Sequence, residues 1–269
     1  MAKPARRTRE DLKQLILDAA DEVIARDGLG VMSSTITYKQ VFDHLETTHG
    51  VRVTRGSVHE RIWPSQHDFQ LEVLRRAARW DARESTQRTA DALTAIYERA
   101  VAGDWSTWRT LTQMVREGGE LNYRAADDDD RYFAWTGLTL ALAQAVEPDS
   151  SEHEALSESV TESYASLSAD LSEMYASVFD ALGVRVRDDL FESPDEAMAV
   201  FTRLTTALSE GVSMRRRFDD DELPGLRLTT GPDGAAEDWH PFSVGLLALL
   251  RLFVEVDERD ESDLEGDRD

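Results

Sequence analysis

Apolar positions recur along this chain with a period close to 3.6, and no β-branched segment alternates strongly with polar residues. After Thr8, the residues Leu12, Leu15, Ile16, Ala19, Ala20, Val23 and Ile24 form one stripe and predict a first helix. Thr8 with Asp11 resembles an N-cap box, and Gly28 and Gly30 end the element. A polar loop through Ser33, Ser34 and Thr35 leads to Thr37, the N-cap expected for a short second helix carrying Val41, Phe42 and Leu45. ETTHGVR at 46–52 is polar, contains a glycine and reads as a connection. Thr54 is the N-cap candidate of a third helix of about two turns, with Val58 and Ile62 inward and Pro64 as its stop.

From Ser65 a long helix is expected, with Phe69, Val73, Leu74 and Ala77 on its apolar face, running to about Val101 before Gly103. Further helical segments fall at roughly 104–125, 131–147, 152–182, 194–217 and 241–258. The Pro/Gly/acid-rich stretch 218–241 reads as a long loop. The pattern predicts an all-α chain: a three-helix domain over 1–75, a larger helical domain over 76–258 and an acidic disordered tail over 259–269.

Composition narrows the function classes. The absence of cysteine among 269 residues removes disulfides, thiolate catalysis and cysteine-based zinc sites, and suits a reducing cytoplasm. The basic start MAKPARRTRED has no apolar region behind it, so no signal peptide is expected. The most apolar run, Val244–Val256, is too short to span a bilayer and carries Arg251, so no membrane partner is expected. The net charge of −23 is unevenly spread. Residues 1–80 hold 13 Lys+Arg against 11 Asp+Glu, a net of +2, and the remaining 189 hold 17 against 42, a net of −25. Four of the six histidines also lie in the first part, which is therefore free to approach an anion.

Catalysis finds little support. The aspartates 127–130 read as a solvated helix start, and neither His153 with Glu154 nor His240 with Asp238 has metal-ligand spacing. Glu117 and Glu120 beside two glycines read as surface groups, and no phosphate-cradling glycine loop is present. No enzyme activity, cofactor or metal site is expected.

Three N-terminal helices of about 20, 9 and 9 residues match a helix-turn-helix unit. The last helix of such a unit must offer short hydrogen-bonding side chains or arginine to base edges in the major groove. Thr54, Arg55, Ser57 and His59 meet that demand, and Gly56 lets backbone approach a phosphate. Thr37, Lys39, Arg52, Gln66 and His67 are the expected backbone contacts, and Lys3, Arg6, Arg7 and Arg9 form a basic arm suited to phosphates.

Over residues 10–75 the chain resembles the TetR-type (tetracycline-repressor-like) transcriptional regulators. The resemblance is carried by Ile16 to Gly28, by Thr37 to Phe42, by the run Val53 to Val58, and by Pro64, Ser65 and Gln66. ETTHGVR stands where the family has a residue or two, His59 where it usually has tyrosine, and Gln66 where lysine is common. The resemblance implies a homodimeric repressor on a double-stranded DNA operator, released by a small-molecule effector held in the larger domain.

The sequence supports dimerisation on its own terms. Ala197, Phe201, Leu204, Leu208 and Val212 form a stripe, and the last helix is apolar on nearly every side. A four-helix bundle with symmetry mates would cover Phe201, Leu204, Leu208, Leu246, Leu249, Leu250 and Phe253; burial within one chain is the alternative. Trp105, Trp108, Tyr132, Trp135 and Tyr164, at helical spacing, are the candidates for an effector pocket, with ordinary core as the alternative. Two rival functions remain: a regulator gated by a protein or constitutive, and a helical scaffold without DNA binding.

Overall fold

A computed structural model describes residues 8–27, 36–59, 61–144, 150–187, 189, 191–218, 225–230 and 235–256. Among these the chain is all-α apart from four short strands. The helices are α1 (Arg9–Asp27), α2 (Tyr38–His49), α3 (Arg55–His59), α4 (Gln66–Ala78), α5 (Arg83–Ala102) and α6 (Thr107–Gln113). A π-helical turn at Met114–Gly118 leads into α7 (Gly119–Asp127), followed by α8 (Asp130–Ala143) and α9 (Ser151–Leu182). Then come β1 (Arg185–Val186), α10 (Pro194–Phe218), β2 (Leu226–Thr229), β3 (Ala236–Trp239), α11 (Pro241–Phe253) and β4 (Val254–Glu255). β1 pairs antiparallel with β4, and β2 with β3 in the register Leu226 to Trp239.

The chain divides into two compact units, one of 1–80 with 129–164 and the other of 81–128 with 165–269. The sequence places residues 129–164 in the larger domain, whereas the structure packs them with the N-terminal helices. Aromatic stacking is the reason. Trp80 lies 5.1 Å from Tyr132 and 5.3 Å from Trp135, and Trp135 lies 4.5 Å from Tyr164. Ala134 of α8 also joins the core of α1.

In the first unit, α1 starts with a reciprocal box: Thr8 N–H donates to Asp11 Oδ2 and Asp11 N–H to Thr8 Oγ1, each at 3.1 Å. Its predicted stripe is buried at Ile16, Ala19, Ala20, Val23 and Ile24 and half-buried at Leu12 and Leu15, and Leu17 is buried as well. The expected caps Gly28 and Gly30, the loop at 33–35 and the arm residues Lys3, Arg6 and Arg7 lie outside the described residues. Thr37 caps α2 through a full capping box with Gln40. The expected connection at 46–52 is mostly helix: α2 continues to His49, and Gly50 ends it at φ 64°, a left-handed conformation glycine adopts without strain.

The long helix expected from Ser65 to Val101 is broken after Ala78. Asp81 accepts a hydrogen bond from Arg83 N–H at 3.0 Å, while the Trp80 indole N–H turns to Asp129 at 2.8 Å. A side chain that bonds its own backbone competes with helix continuation.

Arg76 ties α4 to α1 through Asp18 at 2.7 Å and Asp21 at 2.8 Å. Burial lifts the Asp21 carboxyl above its ordinary value, and Arg76 offsets part of that. A carboxyl whose pKa is raised on folding holds its proton more tightly in the folded state. Its burial therefore costs stability at neutral pH, and the cost fades as pH falls through the folded pKa towards the ordinary one. Arg76→Ala removes the offset, so it is expected to cost about 2 kcal/mol near neutral pH. That deficit should shrink at pH 4 in urea titrations of both proteins; a deficit larger at pH 4 would contradict this account.

In the second unit, α10 and α11 pack on each other. Their core includes Leu111, Val115, Phe179, Phe201, Trp239, Phe242, Leu246 and Leu250. The stretch expected to be a loop at 218–241 contains the β2–β3 hairpin, anchored by Trp239, whose indole N–H donates to Thr230 Oγ1 at 2.9 Å. A Cβ on Gly118 in the π turn would sit 2.5 Å from Leu93 Cδ2, so α5 approaches closely there. No described helix is long and apolar enough to cross a membrane.

Candidate functional site

The N-termini of α2 and α4 meet on one side of the first unit. The Tyr38 hydroxyl, just inside α2, donates to the Ser65 carbonyl at the start of α4 at 3.0 Å. Burial lifts the Tyr38 phenol to about 12, with the Asp68 carboxylate adding to the shift and the Arg55 guanidinium opposing it. Tyr38 also stacks on Phe69 at 4.6 Å, and Phe69 meets Trp63 at 5.1 Å, so aromatic packing holds the corner from beneath.

Within that corner α3 is shorter than expected, five residues instead of two turns. The Val58 carbonyl accepts from Arg61, Ile62 and Trp63 N–H groups at 3.2, 2.8 and 3.3 Å, which closes the helix ahead of Pro64. Val58 is fully buried, while Thr54, Arg55, Gly56 and His59 are exposed and Ser57 is half-buried. Ser57 Oγ donates to the Thr54 carbonyl at 2.7 Å, and its N–H lies 3.4 Å from Thr54 Oγ1, so both side chains are partly committed to the cap. Arg55 forms no ion pair with a described residue. A Cβ on Gly56 would meet nothing within 4 Å, so the fold itself does not require glycine there.

The other expected contacts are less free. Lys39 is exposed but paired with Asp43 at 2.6 Å, and Arg52 lies 3.9 Å from Glu46. Thr37 and Gln66 are half-buried at the starts of α2 and α4, where Ser65 caps α4 by accepting from Asp68 N–H. His67 is held by Glu152 of α9 at 2.8 Å, a hydrogen bond that raises its pKa and keeps it protonated to higher pH. The paired Glu152 carboxylate offsets the His67 charge. Sequence spacing could not reveal a partner 85 positions away.

No family model, curated protein or solved structure matches this chain.

The five effector-pocket candidates do not converge. Tyr132, Trp135 and Tyr164 form the filled aromatic cluster of the first unit. Trp105 and Trp108 belong to the second unit, where Arg109 lies over Trp105 at 4.6 Å and Arg251 over Trp108 at 5.2 Å. None of the five lines the apolar cavity of about 50 Å³ that the second unit contains. That cavity lies among Leu93, Met114, Gly118, Tyr175, Phe201 and Leu246, on the inner side of the π turn. Helical spacing showed which aromatics were inward, and not which voids they left.

The dimer candidates also divide. Phe201, Leu246, Leu250 and Phe253 are buried within the single chain, because α10, α11 and the aromatics of α9 cover one another. Leu208 is half-buried against Gly245 and Leu249 is half-buried, which leaves Leu204 and Leu252 as the exposed leucines of the two helices.

Proposed function

We propose that this chain is a sequence-specific DNA-binding transcriptional regulator that works as a homodimeric repressor, resembling the TetR type. The observation that carries the reading is the polarity of α3. Val58 anchors the helix, while Thr54, Arg55, Gly56 and His59 are exposed and Ser57 is half-buried. Short hydroxyls and an arginine at the start of a helix are groups that read base edges, and helix N-termini beside them suit phosphates. The exposed Leu204 and Leu252 support pairing through α10 and α11. A duplex partner then makes use of the charge division, since the acidity lies outside residues 1–80.

The apolar cavity of about 50 Å³ is about a third the size of a dry cavity that holds benzene, so an effector would fit instead the open polar recess of about 210 Å³ lined by Glu120, Tyr123, Arg124, Arg216, Trp239 and His240.

Selection of bound fragments from genomic DNA, followed by gel shifts at rising salt, tests the reading. A retained sequence preference at higher salt supports it, and binding that fades uniformly for all sequences overturns it. Within a selected site, Arg55→Ala is expected to cost about 1–3 kcal/mol and to relax preference at one or two positions. Gly56→Ala separates the fold from the function. It should raise stability by about 0.5–1 kcal/mol through helix propensity, and it should weaken DNA binding by placing a methyl where backbone meets phosphate. A Gly56→Ala protein that binds as tightly as the parent would remove Gly56 from the interface.

A further inference from the structure

At the opposite end of α2 from the proposed reading corner, two histidines converge on one carboxylate. His44 Nε2 lies 2.6 Å and His49 Nε2 2.8 Å from the same oxygen, Oε2 of Glu22 on α1. Five residues along a helix is a turn of about 140° beyond a full circle. The two rings nevertheless meet edge to face at 5.7 Å, because His49 is the last residue of α2 before the Gly50 cap. The His44 ring is only 10 % exposed, whereas Glu22 and His49 are 44 % and 37 % exposed, so the cluster is walled on one side and open to water on the other.

We propose that Glu22, His44 and His49 form a binding site for a divalent transition metal of the zinc class, with the remaining coordination positions taken by water. One ligand atom from each residue lies within 4.8 Å of the others. Metal–nitrogen and metal–oxygen bonds of about 2.0–2.2 Å in a tetrahedron set ligand atoms roughly 3.3 Å apart. The two nitrogen–oxygen spacings, 2.6 and 2.8 Å, lie a little below that value and all three ligand atoms lie within 4.8 Å of one another, so the cluster is near the size a metal ion needs. Imidazole with carboxylate is a borderline donor set, suited to zinc, cobalt or nickel rather than to calcium or magnesium.

The surroundings fit this role. Thr48 Oγ1 lies 3.3 Å from His44 Nδ1 and can accept its proton, which leaves the Nε2 lone pair for the metal. Arg26, whose Nη1 is 3.4 Å from that Nδ1, can only donate and so favours the opposite tautomer, with the proton on Nε2. Metal binding requires Nδ1–H to turn to Thr48 instead, and the Arg26 charge is neutralised by Asp27, which its Nε and Nη2 reach at 2.7 and 2.6 Å. Because the ligands come from α1 and α2, coordination would cross-link the two helices immediately before the connection to α3. The proposal stands apart from DNA binding, since its readouts are stoichiometry, spectrum and melting temperature.

The test uses the tag-free full chain, stripped with chelator and dialysed. Titration with Zn²⁺ should give one tight equivalent per chain by elemental analysis. Zinc at a hundredfold excess over Kd should raise the melting temperature by about 5–10 °C. Co²⁺ should give visible d–d bands that Zn²⁺ displaces. Glu22→Gln and His49→Ala, both at half-exposed positions, should each weaken binding at least about tenfold while keeping the helical circular-dichroism signal. His153→Ala, outside the cluster, should leave the tight equivalent in place. Substoichiometric zinc, or equal affinity in the parent, Glu22→Gln and His49→Ala proteins, would overturn the site.

Discussion

Phe69→Ala is expected to lower folding stability by about 3–5 kcal/mol and to abolish specific DNA binding at the same time. Phe69 is fully buried, stacks on Tyr38 at 4.6 Å and meets Trp63 at 5.1 Å. It therefore joins the first turn of α2, Trp63 just ahead of Pro64, and the start of α4. A five-residue helix cannot sustain itself in water, because nucleation costs more than so few hydrogen bonds return. The position of α3 depends on the packing of Val58, Trp63 and Phe69 beneath it. Phe69→Leu keeps most of the apolar volume and should cost much less, about 1 kcal/mol. Guanidinium titrations followed by circular dichroism give both values. A Phe69→Ala protein within 1 kcal/mol of the parent would show that α3 is held by something else.

What the sequence revealed, and what it hid, follows from the range of the forces involved. The α1 stripe and its Thr8–Asp11 box are local, and so is the segment expected at 152–182, found as Ser151–Leu182. Local chemistry also marked Thr37 and Ser65 as starts of α2 and α4. The break at 79–82 was not legible, because it depends on Asp129 receiving the Trp80 indole from 49 residues away. The β2–β3 hairpin escaped because four-residue strands give too few alternations to set against a loop rich in glycine and acid. The all-round apolarity of α11 correctly demanded several covering faces. It could not say that α10, the π turn and Trp239 would supply most of them from the same chain.

The candidate site divides in the same way. The outward polar run on α3 was readable from Val58 and its neighbours, since one buried position fixes the facing of the rest. The restraints on it were not: Glu152 on His67 and Asp43 on Lys39 emerge only from side-chain placement. The Glu22–His44–His49 cluster was invisible for a stronger reason. Its spacings of 22 and 5 residues correspond to no single-helix ligand pattern, and the only signal was four histidines crowded into the first 80 positions.

Trp135→Ala should match Phe69→Ala in cost, about 3–5 kcal/mol, and its effect should spread across α4, α8 and α9. The ring is fully buried between Trp80 and Tyr164, at 5.3 and 4.5 Å, and Tyr132 flanks it at 6.2 Å. Loss of its volume would leave Trp80 and Tyr164 facing a void that three surrounding helices cannot close without breaking other contacts. Trp135→Phe provides the contrast. The indole Nε1 of Trp135 is buried without a hydrogen-bond partner among the described residues. Removing an unpaired buried donor returns about 1–3 kcal/mol of desolvation cost, which offsets much of the packing lost with the smaller ring. Trp135→Phe is therefore expected within about 1.5 kcal/mol of the parent. If Trp135→Phe proved as damaging as Trp135→Ala, the indole N–H would have to be bonded, and the aromatic cluster would be a hydrogen-bonded one rather than one held by shape alone.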